Sequence, residues 1–174
     1  ERRCVVDTAP SLEAGRISGL YGNRFARASE LAIRSATRRI DPPTISNIIA
    51  IAALRLGRGA YTRLELDAIV ATALTGFRAA VLESEDQNVR IHTGFWGCGA
   101  FGGNRVLMVL LQMMAARLAG VDELVVHLGD ADGSRDLGEA QRTMQRLLAG
   151  EPTVDEWISR VLAEGYVWGH GDGN

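Results

Sequence analysis

The sequence predicts a layered α/β domain. Three observations point there. Short apolar segments alternate with longer stripes at helical spacing along the chain. One stripe, over residues 104–119, is apolar nearly all round, which places it in a core rather than on a surface. No internal repeat or linker divides the 174 residues, a length that suits one domain.

The elements follow in order. Residues 4–7 are short and apolar and read as a buried strand, with Pro10 soon after. The glycines and asparagine of 18–23 mark a loop. Phe25, Ala28, Leu31 and Ala32 then recur at helical spacing until Asp41-Pro42-Pro43 breaks the helix. The apolar run 45–53 suits either a buried strand or a helix start, and periodicity does not distinguish them. Leu66, Ile69, Val70, Ala73, Leu74, Phe77, Ala80 and Val81 form a long amphipathic stripe and predict a helix. Residues 83–88 are a polar loop, and 89–93 alternate as a short strand.

A glycine-rich stretch occupies 94–103. Asn104 is placed to cap the helix that follows, and Gly120 to end it. Residues 124–128 make another strand. Leu137, Ala140, Met144, Leu147 and Leu148 mark a further helix. Thr153 with Glu156 is a capping-box signature, and Val154, Trp157, Ile158, Val161 and Leu162 give the last helix its apolar face. The domain is expected to span 1–165, with 166–174 a flexible, glycine-rich tail.

Composition narrows the function classes. Hydrophobic residues make up 47% of the chain, enough for a core, and the formal net charge is -2. Its charges are mixed, without the basic block of a nucleic-acid tail or a membrane-surface patch. Cys4 and Cys98 are too few and too far apart for a disulfide framework or a zinc site, which favours a reducing compartment. No leader pattern opens the chain and no apolar run reaches about 18 residues, so a soluble, intracellular protein (cytoplasmic or nuclear) is expected. The start at Glu1, already close to a strand, is what a fragment or a processed chain would show. His92 and His127, one on or beside each of two strands, suit a core or pocket role better than a metal site. No metal and no cofactor are expected.

The stretch Gly94-Phe95-Trp96-Gly97-Cys98-Gly99-Ala100-Phe101-Gly102-Gly103 carries the chemistry. It lies between a strand and the first turn of a buried helix. Helix N-termini present unpaired N–H groups and a positive dipole end, and glycines let backbone approach an anion closely. The pattern has neither the Gly-Lys-Ser/Thr ending of a Walker loop nor the spacing of the dinucleotide fingerprint. A cradle for phosphate or diphosphate is one reading. A tight turn under Trp96 and Phe101 is the other.

Residues 93–103 resemble the diphosphate-binding segment of poly(ADP-ribose) glycohydrolases, with Phe95 in place of the family's asparagine and, just beyond, Asn104 in place of its aspartate. The helix with Leu110, Gln112 and its alanines, the strand ending Gly129-Asp130, and the Thr153-Val154-Asp155 start of the last helix follow the family order. So does 48–54, which resembles the family's strand before a long helix. The likeness covers 45–163 well and 1–44 loosely.

The resemblance implies a macrodomain-like three-layer α/β/α sandwich lacking its N-terminal part, with ADP-ribose bound at the strand ends. It implies that Gly97, Cys98, Gly99, Ala100 and Phe101 wrap the diphosphate and distal ribose, beside Phe95, Trp96 and Gly102. Cys98 then contributes backbone rather than a thiolate. Leu128 stands where the family has an aromatic near the adenosine. Tyr21 or Phe25 is the candidate for stacking on adenine, or else a loop aromatic half packed on the core.

The family's catalytic loop has three glycines and, later, Gln-Glu-Glu, whose carboxyl acts as general acid. This sequence has no such stretch; Glu83 and Glu85 read as solvated, and Asp130 and Asp132 as pocket-rim residues without a catalytic counterpart. The expectation is therefore the ADP-ribose-binding part of a poly(ADP-ribose) glycohydrolase-like enzyme, inactive alone and completed in cis or by a chain carrying the missing half. The alternative is a non-catalytic ADP-ribose-binding module. The implied partners are ADP-ribose or poly(ADP-ribose) on modified proteins, with no direct nucleic-acid or membrane contact.

Overall fold

The computed structural model describes residues 3–5 (backbone), 26–36, 47–55, 57–84 and 88–171. The elements run β1 (Arg3–Val5), α1 (Glu30–Ala36), α2 (Arg63–Glu83), β2 (Arg90–Thr93), α3 (Arg105–Ala119), β3 (Glu123–Val126), α4 (Gly133–Leu147) and α5 (Val154–Ala163). The three strands form a parallel sheet in the order β1-β3-β2, with Cys4 and Ile91 both registered on Leu124. Parallel strands need crossovers, and α3 supplies the one between β2 and β3.

Local chemistry explains the helix limits. Thr62 and Glu65 cap α2 reciprocally, and Thr153 and Glu156 do the same for α5. The Asn104 Oδ1 accepts the Leu107 N–H at 3.1 Å, and Gly120 closes α3 in the left-handed region. On α2, Leu66, Ile69, Val70, Ala73 and Phe77 are buried, the face that the apolar spacing predicts. Leu107, Met108, Val109, Leu110 and Leu111 are all buried, so α3 forms the centre of the core, flanked by α2 and α4. Ile91, Leu124 and Val126 join this core from the sheet. No helix among the described residues is long and apolar enough to cross a membrane.

Three expectations change. The run 47–55 is neither strand nor helix. Its apolar side chains settle on α2 instead of pairing in the sheet: a Cβ on Gly76 would meet the Ile51 methyl at 2.8 Å and that of Ile49 at 3.0 Å. The α1 helix forms, yet Leu31 is 75% exposed, so its predicted stripe is not a core face. Finally, the tail expected to fray is packed through Gly171. Ala60 and Val167 form an antiparallel bridge, Trp168 N–H donates to Gly59 O at 2.8 Å, and Gly169 N–H to Gly102 O at 2.8 Å. The buried Trp168 ring stacks on Tyr61 with centroids 4.4 Å apart. Apolar area is the reason: Trp168 has more to gain under α2 than in water. The second helical layer of the expected sandwich is not among the described residues.

Trp168→Ala is expected to cost about 3 kcal/mol or more, the usual loss for truncating a buried tryptophan. Urea denaturation reads this directly, and a parental midpoint in the variant would contradict a packed tail.

Candidate ligand site

All three strands point the same way, so the segments leaving β2 and β3 emerge at one edge of the sheet, where ligands of parallel α/β folds gather. The glycine-rich segment leaves β2 and residues 127–132 leave β3. The buried Gln112 of α3 fixes the first: its Oε1 accepts from Thr93 Oγ1 at 2.6 Å, and its Nε2 donates to Gly94 O at 3.1 Å and Met108 O at 3.2 Å. Arg105, in the first turn of α3, joins the two segments. Its guanidinium binds both Asp130 oxygens at 2.9 and 3.0 Å and Leu128 O at 3.3 Å, and lies 3.9 Å from the Phe95 ring centroid. The Asp136 carboxylate, almost fully buried, stands 3.1 Å from Arg105 Nε, outside hydrogen-bond alignment.

Within the segment the chain folds back on itself. Cys98 N–H donates to Phe95 O, Gly102 N–H to Gly99 O and Gly103 N–H to Gly97 O. Gly97 has φ +76° with Ala53 where a Cβ would sit, and Gly102 has φ +71° with the backbone of Gly171 against it. These glycines serve close packing as well as shape. The amides of Gly97, Gly99, Ala100 and Phe101 have no hydrogen-bond acceptor among the described residues. The helix end itself is less open than the sequence suggests. Asn104 N–H goes to the Tyr61 hydroxyl at 2.9 Å, and the Asn104 side chain accepts from Leu107 N–H and donates to Val167 O. Open donors therefore run along the loop and into the first turn of α3, where the amides of Arg105 and Val106 also have no acceptor among the described residues.

A cavity of about 490 Å³ lies along this loop. Phe95, Trp96, Gly97, Gly99, Ala100 and Phe101 line it from one segment; Ile51, Ala52, Ala53 and Arg55 line it from the other. Of the residues singled out in the sequence, Cys98, Gly102 and Leu128 do not line it. Leu128 and Gly102 are buried, and the Cys98 Sγ turns back to Trp96 O at 3.6 Å. Burial pushes the Cys98 thiol up to about 12, so it is protonated at neutral pH. Burial also raises the Tyr61 hydroxyl to about 12 against the opposing hydrogen bond from Asn104. Tyr21, Phe25 and Glu85 lie outside the described residues. The wall 51–55 escaped the sequence reading, because an apolar run signals burial and says nothing about what it faces.

The carboxylates near the rim are engaged. Hydrogen bonding from Arg105 holds the Asp130 carboxyl below its ordinary value, and Asp132 pairs with Arg135 at 3.2 Å. His92 and His127 meet at the sheet, Nδ1 to Nε2 at 2.9 Å, and both are exposed, which sets aside the core role of the two expected. No group of three metal-ligating side chains occurs among the described residues.

A family model described as poly(ADP-ribose) glycohydrolase, macro domain fold, matches residues 17–134. The chain belongs to the poly(ADP-ribose) glycohydrolase family. The match falls on the C-terminal catalytic part of that family, and the macro domain fold accords with the parallel sheet and its helices. It includes the glycine-rich segment, α3 and β3, and it takes in 17–44, where the sequence resemblance is loose. It stops before most of α4 and all of α5, so the Thr153 start of α5 stands on its capping chemistry alone.

The protonated state of Cys98 has a chemical readout. Alkylation by iodoacetamide at pH 8, followed by peptide mass mapping to separate Cys98 from Cys4, is expected to be on the order of a hundredfold slower in the folded chain than in urea. Equal rates would show an accessible thiolate and reopen a nucleophilic role.

Proposed function

We propose that this chain is the ADP-ribose-binding part of a poly(ADP-ribose) glycohydrolase-like enzyme. In this reading the diphosphate of ADP-ribose, free or at the end of a chain on a modified protein, accepts from the amides of Gly97, Gly99, Ala100 and Phe101. The observation that carries the reading is the set of open amides on a cavity wall at the C-terminal edge of a parallel sheet. Backbone donors suit a diphosphate because they are fixed in place and carry no counter-charge that must first be displaced. Phe95 supports the wall by stacking under Arg105, and Trp96 and Phe101 supply apolar surface for the sugars. Tyr21 is proposed for the adenine face on the family resemblance. Leu128 acts through the carbonyl that holds Arg105 rather than by touching the ligand.

One observation favours a binding role without turnover for this chain by itself. Glycoside hydrolysis needs a carboxyl free to deliver a proton to the leaving oxygen. Asp130 and Asp136, the described carboxylates beside the loop, are both held by Arg105, and neither lines the cavity. The general acid of the family reaction is proposed to come from a Gly-Gly-Gly and Gln-Glu-Glu segment supplied by the same protein or by a second chain.

Titration calorimetry with ADP-ribose against adenosine tests the binding reading. ADP-ribose is expected to bind at least about tenfold more tightly, as charge-assisted hydrogen bonds to the diphosphate require. Gly99→Asp sets a carboxylate among the open amides and should abolish that preference. Gly99 has no positive φ, so aspartate fits the backbone, and circular dichroism should show a folded variant. Equal affinity of the parent chain for both ligands would refute a diphosphate site on this loop.

A further inference from the structure

We infer that Arg55 is the residue that reads the phosphate charge of the ligand, an inference that rests on the binding reading above. Arg55 lines the same cavity as the open amides but comes from the other segment, the irregular run 47–55. Its guanidinium carbon lies 5.4 Å from the centroid of the Phe101 ring. Among the described residues it has no ion-pair or hydrogen-bond partner, whereas Arg105, also near the loop, is taken up by Asp130, Asp136 and Leu128 O.

These facts combine into a function for the side chain. Backbone amides offer only partial charges, while a diphosphate carries full negative charges into the cavity. A cation without a carboxylate partner can neutralise one of them without first breaking an ion pair. Arginine suits this task better than lysine, because its planar fork meets two phosphate oxygens at once and stacks on an aromatic face. Stacking on Phe101 holds the guanidinium at the cavity before a ligand arrives, which reduces the rotamer entropy lost on binding. The ligand class that this arrangement selects is a nucleotide or sugar bearing phosphate groups, over the corresponding nucleoside. Ala52 and Ala53 lie on the same wall.

Calorimetry on the whole chain with ADP-ribose and adenosine, at low and high salt, tests the inference on Arg55→Ala and Arg55→Lys. Arg55→Ala is expected to weaken ADP-ribose about tenfold, to leave adenosine unchanged, and to flatten the salt dependence. Arg55→Lys should recover part of the loss, since the charge returns without the fork. The thermal midpoints of all three proteins should coincide, because Arg55 is exposed and has no ion-pair partner among the described residues. A merely structural role would instead move the midpoint and leave the salt dependence in place. Parental affinity and salt dependence in Arg55→Ala, alongside a parental preference for ADP-ribose, would overturn the role of Arg55 alone. A parent chain with no such preference would remove the binding reading and this inference together.

Discussion

Arg105 ties the glycine-rich segment, one wall of the cavity, to the chain that leaves β3. One residue after the cap of α3, it bonds Asp130 and Leu128 beyond β3 and stacks on Phe95 beyond β2. Taking a guanidinium and the Asp136 carboxylate out of water is expensive, and such pairs seldom raise stability over an apolar replacement. What the cluster gives is a fixed relation between two strand ends, because a partner removed leaves a buried charge unanswered. Asp136 has a second cation in Arg135, at 3.0 Å, so its charge is shared between an exposed guanidinium and a largely buried one. The glycine-rich segment therefore starts from a clamped position rather than from a free strand end.

The same segment is held on its other sides by neutral contacts. Gln112 anchors its start, the Tyr61 hydroxyl receives the amide of Asn104 at its end, and the tail bonds Gly102 through Gly169. Each anchor consumes donors or acceptors at the edges of the segment and leaves those in the middle open. Glycine has two separate uses here. Gly97 and Gly102 adopt left-handed backbone and accept neighbours where a Cβ would sit, whereas Gly99 has no positive φ. Packing by Ala53 and the tail thus accounts for Gly97 and Gly102.

Local signals were the legible part of this protein. Asn104 and Thr153 begin helices as their side-chain chemistry requires, and the stripe from Leu66 to Phe77 is a buried face. The glycine-rich segment was recognisable because its residue types are rare together, and its family follows from it. What stayed hidden depends on contacts distant in sequence. Trp168 lies in a glycine-rich stretch that looks frayed until Tyr61, more than a hundred residues earlier, supplies its stacking partner. Ile49 and Ile51 look like strand residues until Gly76 of α2 offers them a groove. Arg55 is one arginine among many in the sequence and stands out only once the cavity exists. Periodicity reports which face a residue takes, not which distant surface it meets.

The proposed site depends on open loop amides as the ligand's receiving groups. An amide-resolved NMR titration of the isotope-labelled chain with ADP-ribose addresses that claim most directly. The largest shift changes are expected at Gly97, Gly99, Ala100 and Phe101, with the amides of α5 unmoved. Saturable binding that leaves 97–101 unshifted, or that shifts instead the second cavity beside Met113 and Met144, would contradict it.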